Sequence, residues 1–150
     1  MSTREQPWSD ERPEHGRILV LTDNPISQAI ATIAGAVGRE VLVEPADDGG
    51  PGLDPRAGDA VVLCDHDAPD APAVLRAALA SEASYVAMMA SRRRAAGLVD
   101  ELVGEGVDVS TLHVPAGHDL GGKGPGEIAL SVVAEIVAEG HGRAGGPMRG

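Results

Sequence analysis

The sequence predicts a single doubly wound α/β domain with a mostly parallel sheet, and three observations carry that prediction. Short apolar runs of strand length alternate along the chain with longer stretches in which apolar residues recur every three or four positions. At 150 residues and 43% apolar content, the chain holds enough material to bury one core. There is no Phe, and Trp8 and Tyr85 are each the single residue of their type. Val, Leu, Ile, Ala and Met must therefore fill the interior, as in β-branched strands packed on Ala-rich helices.

RILVLT (17–22) is the first strand, followed by a helix in which Ile26, Ile30, Ile33 and Val37 share a face and Gly38 gives the stop. EVLVE (40–44) is the second strand. The Gly, Pro and Asp residues that follow, through Gly58, read as a loop. DAVVLC (59–64) is the third strand, and the acidic turn after it leads into a helix carrying Val74, Leu75, Ala78 and Leu79. SYVAMM (84–89) is the fourth strand. Ser91 is a natural N-cap for the next helix, whose apolar stripe is Ala95, Leu98, Val99, Leu102 and Val103, ended by Gly104 and Gly106. LHV (112–114) supplies a short fifth strand stopped by Pro115. Pro125 suits the first position of a last helix running to Ala138, and its apolar residues cover more than one face, as in a buried or partner-bound helix. Residues 1–15 and 139–150 read as disordered tails around a domain spanning 16–138.

A formal charge of −11 disfavours a phosphate backbone as partner, so nucleic acid is excluded. One cysteine, Cys64, permits no internal disulfide, no apolar run approaches the roughly 20 residues of a membrane span, and no secretory leader is evident. A soluble cytoplasmic protein is expected.

In a doubly wound sheet, ligands collect beyond the carboxyl ends of the strands. The first such loop, TDNPISQ (22–28), lacks the glycines that let backbone N–H groups approach a pyrophosphate; Asp23 adds a repelling charge and Pro25 removes a donor. NAD(P) is therefore disfavoured. CDHDAPD (64–70) concentrates possible ligands without metal-site spacing, so no metal is assigned. Cys64 reads either as a sulfur acceptor or, by preference, as a small buried hydrophobe. His66 with Asp67 reads as an acid/base pair or as part of a helix-capping turn. Ser91-Arg92-Arg93-Arg94 at a helix start is the best anion seat, combining hydroxyl, guanidinium and backbone donors; its plainer alternative is a solvated first turn. PAGHDLGGKGPGE (115–127) holds His118, Asp119 and the single Lys123 among five glycines, able to wrap a ligand at the same edge. There His118 with Asp119 reads as an acid/base or ligand pair or, by preference, as a solvent-facing loop histidine.

SYVAMMASRRRAAGLVDELVGEGV and STLHVPAGHDLGGKGPGEIALSVVAEIVA together resemble the C-terminal part of XdhC/CoxI proteins over residues 84–138. That family carries segments like YVGMLGSRRR and LHxPxGLDIGAxTPEEIALSIxAEI. The matching positions include Tyr85, Ser91, Arg92, Arg93, Leu112, His113, Pro115, Gly117, Asp119, Gly121, Pro125, Glu127, Ile128 and Ala129. The resemblance implies a Rossmann-like fold and an accessory, chaperone-like role, more carrier than enzyme, in maturing molybdenum hydroxylases of the xanthine dehydrogenase or carbon monoxide dehydrogenase type. It implies molybdenum cofactor (molybdopterin) as cargo, with Ser91, Arg92, Arg93, Gly117, Asp119 and Gly121 as binding residues and no catalytic residue. Expected partners are the hydroxylase itself, a second copy of the chain, and a separately encoded protein supplying the family's N-terminal domain, which the residues before Arg17 do not provide. The chain departs from the family at its first loop (GAGHVA in relatives), its third (THDHxxD) and at Ala87 and Ala90. Two other readings follow: a small NAD(P)-binding oxidoreductase-like domain, and a noncatalytic scaffold that dimerises through its last helix.

Overall fold

The computed structural model describes residues 6–9, 15–44 and 54–149. The chain order is β1 (Ile18–Leu21), α1 (Pro25–Ala36), β2 (Val41–Glu44), β3 (Ala60–Leu63), α2 (Ala71–Ala80), β4 (Tyr85–Met88), α3 (Arg92–Gly104), β5 (Leu112–His113) and α4 (Pro125–Gly140). All strands are parallel, in the order β2-β1-β3-β4-β5. The predicted Rossmann-like α/β domain is what the chain forms.

Strand periodicity divides the core into two layers. The register aligns Leu19, Val61, Val86 and Leu112 in one row, and this face packs under α2 and α3 through Val74, Leu75, Ala78, Leu79 and Leu102. The alternate residues, Ile18, Val20, Ala60, Val62, Tyr85 and Ala87, face α1 and α4, where Ile30, Ala34, Val132, Val133 and Ile136 meet them. Because β1, β3 and β4 are buried on both faces, they read in sequence as unbroken apolar runs. Edge strand β2 differs: Leu42 is 38% and Val43 36% exposed, since no helix among the described residues follows β2 to cover it.

The elements fall where periodicity places them, with strands about a residue shorter at their ends than the apolar runs. Three differences are structural. Helix α4 continues to Gly140, past Ala138, because its backbone bonding persists to the His141 N–H, which donates to Val137 and Ala138. Leu130 on α4 is 48% exposed, so this helix buries one stripe and presents another outward. Val103, expected on the apolar stripe of α3, is 56% exposed. Most of the expected N-terminal tail (1–5 and 10–14) and the loop segment 45–53 lie outside the described residues.

Candidate functional site: an anion cleft displaced from the first loop

In this strand order the chain reverses direction between β1 and β3, the crevice in which doubly wound folds seat nucleotides. Here the crevice is filled by the protein's own side chains. Asn24 caps α1: its Oδ1 accepts from the N–H groups of Ile26 and Ser27, both at 3.0 Å. Ser27 Oγ accepts from Asn24 N–H at 2.7 Å, completing a capping box. Asn24 Nδ2 donates across the crevice to the Cys64 carbonyl at 3.2 Å. With Pro25 at the first helical position, the donors that a phosphate would use are already spent. Thr22 precedes this turn at φ 72°, a left-handed conformation costly for a β-branched residue. Cys64 is buried, and burial pushes its thiol up to about 12, which favours the small-hydrophobe reading over a reactive thiolate.

A cleft of about 660 Å³ opens instead beside the N-termini of α3 and α4. Its floor is apolar, from Ile26, Met89, Pro115, Ala116 and Ile128, and its rim includes Ser91, Arg92, Asp119 and Lys123. Ser91 caps α3 by accepting from Arg94 N–H at 3.2 Å, leaving the N–H groups of Arg92 and Arg93 without an intrahelical acceptor. At α4 the N-cap is Gly124, which brings no side chain, so the first-turn N–H groups of Gly126 and Glu127 are likewise uncapped. The connecting loop turns through Gly117 (φ 95°) and Gly121 (φ 83°). At Gly117 a Cβ atom would lie 2.3 Å from Ser131 Oγ, so only glycine lets this loop lie on α4.

Of the six binding residues expected from sequence, Ser91, Arg92, Gly117, Asp119 and Gly121 line this one cleft and Arg93 does not. Helical geometry explains the split, since consecutive side chains point about 100° apart. Arg92 faces Asp119 at 3.3 Å, and Arg94 turns the other way to Asp67 at 3.4 Å. The Arg92–Asp119 pair is 85% and 79% exposed, so it adds about 0–1 kcal/mol and opens readily for a ligand. His66 lies outside the cleft, with Nδ1–H donating to the Met89 carbonyl at 2.8 Å and Nε2 3.4 Å from Asp67. His118, read from sequence as a solvent-facing histidine, instead lines the cleft, and its Nε2 is buried without a hydrogen-bond partner among the described residues.

Beneath the cleft lies a polar cluster that sequence reading missed. Glu135 Oε1 accepts from Tyr85 Oη at 2.5 Å and from Gly117 N–H at 3.1 Å, and lies 3.6 Å from His113 Nδ1. The His113 ring stacks on Tyr85 with centroids 4.4 Å apart. Burial alone would raise the Glu135 carboxyl, but His113, Tyr85 and the Gly117 N–H outweigh it and hold it down to about 2. The same carboxylate raises His113 above its ordinary value, against burial. Burial first and Glu135 second push the Tyr85 hydroxyl upward. One signal was available: a buried tyrosine needs a partner for its hydroxyl, and α4 has a single acid, Glu135, inside its apolar stretch. Among the described residues no group of His, Cys, Asp and Glu is placed to hold a metal, and no helix is long and apolar enough to cross a membrane.

Comparison with known proteins agrees with the fold. The family model described as the XdhC Rossmann domain matches residues 18–136. A crystal structure of a Bacillus halodurans protein described as a xanthine dehydrogenase superposes with a TM-score of 0.70 at 21% identity, covering 86% of this chain and 44% of that one. The uncharacterized protein YqeB of Escherichia coli (strain K12) is 35% identical over 68 residues, which is 43% of this chain and 13% of that protein. The chain thus spans less than half the length of either.

Proposed function

The chain belongs to the XdhC Rossmann-domain family, and from that premise we propose that it is an accessory protein for molybdenum hydroxylases that holds the phosphate-bearing molybdenum cofactor as cargo. The observation that carries this reading is the convergence of Ser91, Arg92, Lys123, the free first-turn N–H groups of α3 and the uncapped N-terminus of α4 on one cleft with an apolar floor. Its volume lies within the roughly 300–1,000 Å³ of small-molecule sites. A phosphate or pyrophosphate fits the rim by charge and by backbone donors, while a flat heterocycle fits the floor. The protein's own contribution is binding and orientation: Arg92 leaves Asp119 for the anion, and the 115–124 loop closes one wall. With the first-loop donors occupied by Asn24, the NAD(P)-dependent oxidoreductase is the weaker reading.

The test is equilibrium binding of inorganic pyrophosphate and of molybdopterin to wild type, Arg92→Glu and Arg93→Glu. Removing and reversing a charge-assisted contact of about 1.5–3 kcal/mol should weaken binding at least tenfold in Arg92→Glu. Arg93→Glu should stay within a factor of about three, since its side chain points away from the cleft. Equal losses in both variants would reduce the seat to general electrostatics. Robust stabilisation by NAD(P) in thermal shift would revive the oxidoreductase. Capture of a molybdenum hydroxylase with no cofactor bound would favour the scaffold reading, for which the exposed Leu130 stripe of α4 is the available surface.

A further inference from the structure

We propose that Glu135 is the positioning residue of the cleft, fixing the Gly117 loop through one part-buried carboxylate oxygen, and that protonation of His113 tunes how firmly it does so. The proposal rests on the anion reading above and adds a means of regulating that site. No part of Glu135, Tyr85 or His113 lines the cleft, whereas Gly117, which Glu135 holds, does. One oxygen gathers groups from four places: Tyr85 on β4, His113 on β5, Gly117 in the loop and Glu135 itself on α4. Two further bonds orient the loop against the same scaffold, from Ala116 N–H to the Met88 carbonyl at 3.1 Å and from His118 N–H to the Ser131 carbonyl at 3.2 Å. The Gly117 hydrogen bond alone of these three ends on a group whose charge and neighbours can change.

The charged and titratable groups facing this oxygen are His113 from β5 and Tyr85 from β4, and Glu139, one turn on along α4, acts on both of them. With His113 protonated, Glu135 divides its charge between a cation and two neutral donors. Once His113 loses its proton, the part-buried carboxylate keeps its charge and leans on Tyr85 O–H and Gly117 N–H alone. The Gly117 bond tightens as pH rises through the His113 titration. The loop, and with it the backbone donors at the cleft wall, is then held most rigidly when His113 is neutral.

Amide NMR of the full chain reads this directly. The Gly117 amide proton should move downfield as pH rises from 5.5 to 9 and follow the His113 ring titration. That movement should vanish in His113→Phe, which keeps the stack on Tyr85, and in Glu135→Gln, which keeps an acceptor oxygen without the charge. With inorganic pyrophosphate as probe, wild type should bind more tightly above the His113 titration than below it, by at least threefold after correction for the probe's own ionisation. Glu135→Gln and His113→Phe should lose that dependence while melting cooperatively. Glu135→Leu should weaken binding at least fivefold. If that variant fails to fold, Glu135→Gln carries the test. A Gly117 amide that does not titrate, or that titrates unchanged in Glu135→Gln, overturns the proposal. Absence of pyrophosphate binding in wild type, with the Gly117 titration intact, sinks the anion reading and leaves Glu135 as the anchor of the loop.

Discussion

Replacing Thr22 by glycine should stabilise the protein, although it removes a side chain from the edge of the core. Thr22 has φ 72° at the end of β1, where the turn into α1 begins. A left-handed backbone costs a residue with a Cβ atom about 1–2 kcal/mol, and a β-branched side chain sits at the upper end of that range. Glycine removes this cost and adds about 0.5–1 kcal/mol of lost chain entropy. The Thr22 N–H bond to the Glu44 carbonyl, 3.0 Å, is a backbone contact that glycine keeps. The net gain is about 1–1.5 kcal/mol, and for a domain of this size each kcal/mol moves Tm by about 2–4 °C, so Tm should rise by about 2–6 °C. Thermal unfolding of wild type, Thr22→Gly and Thr22→Ala is the assay, because alanine removes the branching and keeps the Cβ atom. A Thr22→Ala variant as stable as Thr22→Gly, or a glycine variant that melts below wild type, would refute the strain argument.

Other outcomes follow from the same contacts. Asn24→Ala should cost about 1–2 kcal/mol in urea unfolding, since it removes the cap of α1 together with the bridge to Cys64; Asn24→Asp should restore the cap and lose only the bridge. Stability should fall on both sides of mildly acid pH. Glu135, held at about 2, contributes stability that is complete above its unfolded value and is lost as pH drops toward 2. His113, raised in the fold, contributes stability that is complete below its unfolded value and is lost as pH rises through its folded one. His113→Phe should flatten the alkaline limb of a Tm-against-pH curve and also weaken the acid limb, leaving there only what Tyr85 and the Gly117 N–H contribute. Cys64, with its thiol pushed to about 12, should resist alkylation by iodoacetamide at pH 8 until denaturant is added; modification of the native protein would contradict the burial described here.

Local pattern carried the fold, because the signals that define it are local. Strands buried on both faces announce themselves as unbroken apolar runs, Ser91 and Pro125 mark helix starts, and Gly38 and Gly106, both at positive φ, mark helix ends. The candidate site was legible in part. The edge of the sheet was found through Ser91 and Gly117, whereas the arginine run could not be sorted from sequence, because only the rotation of α3 decides that Arg92 enters the cleft and Arg93 does not. The Glu135 cluster was hidden for a different reason. Its members lie on β4, β5 and α4, up to 50 residues apart in the chain, and only the β4–β5 pairing and the packing of α4 on the sheet bring them together. The closed first loop shows the same limit: lack of glycine was visible, but the consumption of its donors by Asn24 depends on a side-chain rotamer.

The claim that the anion seat has moved from the β1–α1 turn to the α3–α4 edge is tested most directly by mapping pyrophosphate onto assigned amide resonances. The perturbations should centre on Ser91–Arg93 and Gly117–Glu127, and of the first loop only Ile26, which lines the cleft floor, should respond. Perturbations centred on Asn24–Gln28 would contradict that account and return the ligand to the crevice between β1 and β3.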